Sequence, residues 1–95
     1  MMEKIQTLIN QLVSSTMVGR VKWEVSDLYL LANFKSGSIR LMNNQHDSTI
    51  SIKPINGSYV YLEGYDVKEL KNKIIYKELQ GEKVVEDMIR ELEKM

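Results

Sequence analysis

The sequence predicts an α+β domain in which amphipathic helices cover one face of an antiparallel sheet. Two changes of hydrophobic period carry this prediction. Apolar residues recur at helical spacing before Gly19, alternate with a period of two between Val21 and Glu63, and return to helical spacing after Asp66. The 95 residues fit one domain, 1–95, and a composition of 43% hydrophobic and 27% charged residues indicates a folded rather than a disordered chain.

The first predicted element is an amphipathic helix. Its apolar residues repeat at spacings of three and four along the face formed by Ile5, Leu8, Ile9, Leu12 and Val13. Residues 14–16 weaken the helix, and Gly19 is expected to end the connection that follows. We expect Trp23 to be buried beneath this helix, because a lone Trp in a small domain mostly serves the core. An exposed anchor is the alternative.

The central region predicts strands. Turn formers occur at 36–38, 43–47 and 54–57, and the residues between them alternate between apolar and polar side chains. Three short turns divide the region into an antiparallel four-stranded meander, covered by the helices in a two-layer sandwich. The residues expected to face the helices are Leu28, Leu30, Phe34, Ile39, Leu41, Ile50, Ile52, Val60 and Leu62.

Residues 66–95 predict two C-terminal helices. A single straight helix of that length would reach about 45 Å, which exceeds the ~30–35 Å diameter of a domain of this size. Gly81 is the natural position for a break, so helices are expected near 66–79 and 82–95. Asp66 and Glu69 have the spacing of a capping box at the start of the first.

Charge and cysteine content limit the partners and the chemistry. Lys and Arg number 13, Asp and Glu also number 13, so the formal net charge is zero and argues against a non-specific nucleic-acid binder. Cysteine is absent, which excludes a disulfide frame and a thiolate nucleophile. No run approaches the ~20 apolar residues of a membrane span, and residues 1–5 lack the apolar segment of a secretion signal. We therefore expect a cytoplasmic protein with no membrane partner.

A catalytic site is not expected. His46 is the single histidine, and its neighbour Asp47 could orient an imidazole as half of a catalytic pair. A turn residue in a polar loop is the favoured interpretation, because a lone His without convergent partners is a weak signal. The sequence also lacks the motifs for phosphate, dinucleotide or metal binding, so no cofactor and no metal are expected.

The sheet face turned away from the helices, here called the open face, is the first candidate binding surface. It combines apolar bodies with cationic side chains, as protein hot spots do. Tyrosines beside Lys and Arg could instead stack a base and hold its phosphate, or could be ordinary strand residues making cross-strand pairs. The candidate residues are Tyr29, Leu31, Arg40, Met42, Lys53, Tyr59 and Tyr61.

The last helix is the second candidate surface. One short heptad-like seam runs along it, formed by Val85, Met88, Leu92 and Met95. An uncovered seam would join two copies as a homodimer. A core face is the alternative, because two heptads are too few for an independent coiled coil.

The run Thr16-x-x-Gly19-x-Val21-x-Trp23, followed by Phe34–Leu41 and a helical tail, resembles a group of small, uncharacterised bacterial and mobile-element proteins with a T-x-x-G-x-[IV]-x-W start, a β-meander and C-terminal helices. The resemblance implies a bacterial or phage setting and transfers no catalytic or binding residues. The sequence as a whole predicts a non-enzymatic interaction module that binds a protein partner through the open face or the last helix. The alternative is a binder, of a sponge-like kind, for a small nucleotide or nucleic acid on the open face.

Overall fold

The computed structural model describes residues 2–79 and 81–95, with the side chains of residues 2, 3 and 82 outside the description. The described chain is an α+β structure with an antiparallel meander between helices, as the sequence predicts. Its elements are α1 (Met2–Met17), β1 (Glu24–Val25), β2 (Tyr29–Phe34), β3 (Gly37–Met42), β4 (Ile50–Pro54), β5 (Val60–Leu62), α2 (Lys68–Glu78) and α3 (Gly81–Glu93).

The sheet has five strands in the order β1-β2-β3-β4-β5, one more than the four expected. The added strand is the two-residue β1, whose Glu24 and Val25 lie opposite Leu31 and Leu30 of β2. A tight turn separates the two strands: the N–H of Ser26 donates to the Tyr29 carbonyl at 2.9 Å, and the Ser26 hydroxyl accepts from the Tyr29 N–H at 3.0 Å. A serine therefore makes the turn, without glycine or proline.

The end of α1 holds Trp23 in the core. The N–H groups of Gly19 and Arg20 donate to the carbonyls of Thr16 and Ser15 at 3.1 and 2.9 Å, which is the Schellman pattern, and Gly19 takes the required left-handed φ of 77°. The chain then returns beneath the helix. Trp23 is buried, as predicted, and its indole Nε1–H donates to the buried hydroxyl of Thr16 at 2.9 Å.

The core lies between the sheet and helices α1 and α2. It contains Ile9, Leu12, Trp23, Leu30, Ala32, Ile39, Leu41, Ile50, Val67, Leu70 and Ile74. The prediction is wrong for three of the residues expected to pack against the helices: Leu28 is 63% exposed, Val60 is 54% exposed and Phe34 is 39% exposed. All three occupy the margin of the sheet, in the turn before β2, in the edge strand β5 and at the end of β2, where the helices do not cover them.

The C-terminal region forms two helices, as the break near Gly81 predicts. The first begins at Lys68 rather than at residue 66, and its N-cap is Val67, so the capping box expected from Asp66 and Glu69 is not formed. The Asp66 carboxylate lies before the helix and accepts the N–H of Lys68 at 3.1 Å. The second begins at Gly81 itself. A Cβ atom there would lie only 3.0 Å from Cδ2 and 3.1 Å from the carbonyl oxygen of Tyr76, so glycine permits a close junction between α2 and α3.

The molecule is elongated, with extents of 54 × 25 × 25 Å and a gyration radius of 15.2 Å. A single domain of about 100 residues has a gyration radius near 13 Å when it is compact. The difference comes from α3, which packs mainly against α2. One helix of the domain is therefore left with most of its surface in solvent.

Candidate interaction surfaces

The strand register brings the open-face candidates together. Leu31, Arg40 and Tyr61 occupy one row across β2, β3 and β5, with Ser51 of β4 between the last two. Tyr29 lies opposite Met42, and Lys53 lies opposite Ser38, in the neighbouring rows. Alternation places all of these side chains on the face turned away from the helices.

Arg40 is the centre of this face. Its guanidinium carbon lies 4.5 Å from the centroid of the Tyr29 ring, 3.9 Å from that of Tyr59 and 6.0 Å from that of Tyr61. Its Nη2 also donates to the Tyr61 hydroxyl at 3.3 Å. These cation–π contacts are each worth about 0.5–1 kcal/mol at an exposed site. The arginine and three tyrosines form one packed group, which we call the Arg40 cluster.

The Arg40 cluster changes what the open face offers to a ligand. Arg40 is half-buried, its Nε is buried without a hydrogen-bond partner, and Ser51, opposite it in β4, is only 4% exposed. Tyr61 is the most exposed of the three tyrosines. One face of the Tyr29 and Tyr59 rings is already covered by the Arg40 guanidinium. A nucleobase would therefore find its main stacking surface on Tyr61. Nucleotide binding on this face stays a prediction.

The second surface is the exposed side of α3. Five apolar side chains lie along it, namely Val84, Val85, Met88, Ile89 and Leu92, and Met95 follows two residues after the helix ends at Glu93; each of the six is between 43% and 97% exposed. We call this set the apolar stripe. It contains the four seam residues expected from the sequence, together with Val84 and Ile89. Spacings of three and four place these residues on one side of the helix. The described core residues include none from α3.

A third surface was not anticipated from the sequence. A groove of about 460 Å³ runs between α1 and the adjacent ends of β2, β3 and β4, on the helix side of the sheet. We call it the α1 groove. Its wall is mainly apolar and includes Leu8, Leu12, Phe34, Ile39, Ile52 and Pro54. Phe34, which was expected in the core, is part of this wall. Its side chain is partly exposed because it borders the groove.

The β3–β4 loop is held by a lysine. Lys71 in α2 is a buried residue, and its ammonium donates to the carbonyl oxygen of Asn44 at 2.9 Å and to that of Asp47. Burial lowers the pKa of Lys71 below 10.5, and the negative charge of Asp47 opposes this shift. No motif in the sequence identifies this lysine, since its partners are backbone carbonyls far along the chain.

The same loop contains the histidine considered above. His46 is exposed, and its backbone N–H donates to the Asn44 side chain at 2.9 Å. The Asp47 carboxylate accepts the Thr49 N–H at 2.7 Å, which lowers the pKa of Asp47 below 3.8. Both residues therefore make turn contacts of the kind expected for a polar loop.

Metal ligation and membrane insertion were both considered in the sequence, and the described residues offer a site for neither. Within residues 2–79 and 81–95, no three His, Asp or Glu side chains are grouped so that they could hold a metal ion. No helix in that part of the chain combines the length and apolar character needed to cross a membrane.

Comparison with protein-family models, with curated proteins and with solved structures finds no match for this chain. The resemblance to small bacterial and mobile-element proteins therefore stays a prediction, and the function is argued from these surfaces.

Proposed function

We propose that the chain is a non-enzymatic interaction module that binds a protein partner through the apolar stripe of α3. The observation that carries the proposal is that α3, which has five exposed apolar side chains on one side and the exposed Met95 just beyond its end, packs mainly against α2. A cytoplasmic, bacterial or phage setting, as expected from the sequence, belongs to the proposal.

The exposed area supports a binding role. Full burial of a Val, Leu, Ile or Met side chain stabilises by about 1.5–3 kcal/mol, so six side chains that are half exposed offer on the order of 5–9 kcal/mol to a partner. Association itself costs about 4–15 kcal/mol. A flat contact would therefore be weak, and a partner with a complementary groove is needed for a stable complex.

The charges of α3 fit the same function. Its polar side carries acidic and basic residues of both signs, and Arg90 forms an i,i+3 ion pair with Asp87 at 3.5 Å. A charged side and an apolar side on one helix are typical of helices that lie in a groove of a partner. The stripe, rather than the charged side, is therefore the docking element.

Site-specific photo-crosslinking tests the proposal. A photo-reactive residue replaces Met88 on the stripe or, as the matched control, Lys83, an exposed residue of the same helix. We expect protein adducts in bacterial extract from position 88, far fewer from position 83, and loss of the adducts when Leu92→Glu is added. His46→Ala should leave the adducts unchanged.

Charge-matched variants complete the experiment. Met88→Glu with Leu92→Glu changes the net charge of the chain by the same amount as Lys83→Gln with Lys94→Gln. Only the first pair should abolish the adducts, with circular dichroism showing both proteins folded. Equal labelling from positions 83 and 88, or none from either, would overturn the proposal.

A further inference from the structure

We propose that the protein partner of α3 is a second copy of this chain, and that the apolar stripe of each copy occupies the α1 groove of the other. The inference rests on the proposed function and names its partner and acceptor site. The product is a dimer with two-fold symmetry, in which the same two surfaces of each copy are used once.

The stripe and the groove match in length. The α1 side of the groove extends from Leu8 to Ser15, and the central part of the stripe extends from Val85 to Leu92. Both intervals cover two turns of helix, about 10 Å at 1.5 Å per residue. Anchors at i, i+3 or i+4, and i+7 are the pattern by which an amphipathic helix occupies a groove. Val85, Met88 and Leu92 supply that pattern.

The two surfaces also match in chemistry. The groove is bounded by apolar side chains with Gln11 and three serines among them, and of the described residues at its edge only Lys53 is charged. Lys53 pairs with Ser38, so strand alternation points its side chain toward the open face and away from the groove. An uncharged groove accepts an apolar stripe without burying an unpaired charge.

The junction of α2 and α3 favours docking of α3 into the groove of a second copy over docking into the groove of its own chain. Gly81 lies so close to Tyr76 that even a Cβ atom would be in tight contact, so the start of α3 is packed against α2. With this junction intact the molecule is 54 Å long and only 25 Å wide. Folding α3 back onto its own groove would require that junction to open, whereas a second copy can approach without any change.

The area available favours reciprocal docking over simple pairing of two α3 helices. A 13-residue helix is about 20 Å long, and a stable interface buries about 800 Å² per partner. Contact between two α3 helices would use one stripe per chain and leave both grooves empty. Reciprocal docking uses a stripe and a groove from every chain, which doubles the number of contacts in the dimer.

Because the chain has no cysteine, introduced thiols report the contact directly. One protein carries Met88→Cys in the middle of the stripe, and a second carries Gln11→Cys in the middle of the α1 side of the groove. The two proteins differ in mass by a tag, are mixed in equal amounts, and are oxidised gently. We expect a disulfide between the two different chains, formed several-fold more than with Lys83→Cys in place of Met88→Cys.

The possible products separate this inference from the proposed function. If disulfides form only between two Met88→Cys chains, the α3 helices pair with each other. That result would overturn the α1 groove as the acceptor site, but the proposed function of α3 as a docking element would stand. A monomeric chain carrying both substitutions and an internal disulfide would overturn both. If the wild-type chain sediments as a monomer at tens of micromolar, and the Met88→Cys and Gln11→Cys proteins form no disulfide with each other, a second copy is not the partner. The photo-crosslinking result would then be the remaining test of the proposed function.

Discussion

Arg40 and Tyr59 are stacked, with the guanidinium carbon 3.9 Å from the centroid of the tyrosine ring. Tyr29 contacts the same guanidinium from β2, on the other side of β3, so the arginine is held by rings on both sides of its strand. A planar guanidinium stacks on aromatic rings in a way that an ammonium does not. The guanidinium of Arg40 is therefore the group around which the aromatic side chains of the open face pack.

The first prediction concerns this stack. Arg40→Lys keeps the charge but loses the planar contact with Tyr29 and Tyr59, so the free energy of unfolding should fall by about 1–2 kcal/mol. Urea denaturation measures it. Lys35→Ala, in the exposed turn after β2, is the control and should change stability by no more than about 0.5 kcal/mol. An unchanged denaturation midpoint for Arg40→Lys would show that the stack contributes nothing.

The second prediction concerns the hydrogen bond between Trp23 and Thr16. Thr16→Val keeps the shape of the side chain but leaves the buried indole N–H without an acceptor, at a cost of about 1–3 kcal/mol. Denaturation followed by the fluorescence of Trp23 measures the loss. Ser14→Ala removes an exposed hydroxyl from the same helix and should stay within about 0.5 kcal/mol. Equal effects of the two substitutions would contradict the assignment.

The third prediction concerns pH and Lys71. Burial holds the pKa of Lys71 in the folded chain below the 10.5 of the unfolded chain. Between these two values the unfolded chain binds more protons, so the contribution of Lys71 to the free energy of unfolding rises with pH across that interval. The difference in stability between wild type and Lys71→Met should therefore shift in favour of the wild type as pH approaches 10.5.

Denaturation midpoints at several pH values test this shift, with Lys68→Met, an exposed lysine of the same helix, as the control. All other ionisable groups of the chain are common to the wild type and Lys71→Met, so their contributions cancel in that difference. A difference between wild type and Lys71→Met that does not vary with pH would mean that the ammonium is not buried.

The fourth prediction separates the core from α3. Leu70 in α2 has no exposed surface, so Leu70→Ala should cost about 2–5 kcal/mol. Leu92 in α3 is 68% exposed, and Leu92→Ala should change stability by no more than about 0.5 kcal/mol. Both are measured at low protein concentration, where association does not contribute. A large cost for Leu92→Ala in a monomer would show that α3 packs on its own body.

The helices and most strands could be predicted because their signals are local. Period, turn residues and the glycine at residue 81 identify α1, the meander and the two C-terminal helices. The sequence did not predict β1 as a strand separate from β2. The turn between them depends on the Ser26 hydroxyl, and a single serine is a weaker turn signal than glycine or proline. The exposure of Leu28 and Val60 depends on where the helices end over the sheet, which alternation does not specify.

The candidate surfaces were predictable in part. Alternation placed Arg40 and the tyrosines on one face, but not the stacking between them, which depends on side-chain geometry. The α1 groove and the Lys71 contacts were missed because each joins segments that are distant in sequence. Neither leaves a periodic pattern that could be read from the chain.

The Lys71 contacts have a consequence for the order of folding. The lysine and the carbonyls that it binds are 27 and 24 residues apart, with β4, β5 and their turn between them. We expect the β3–β4 loop to reach its final conformation only when α2 docks, because the hydrogen bonds that its carbonyls accept from the Lys71 ammonium cannot form before then. We expect the closure of this loop and the docking of α2 to occur in a single kinetic step, with Lys71→Met slowing neither the earlier pairing of β2 with β3 nor the formation of α1.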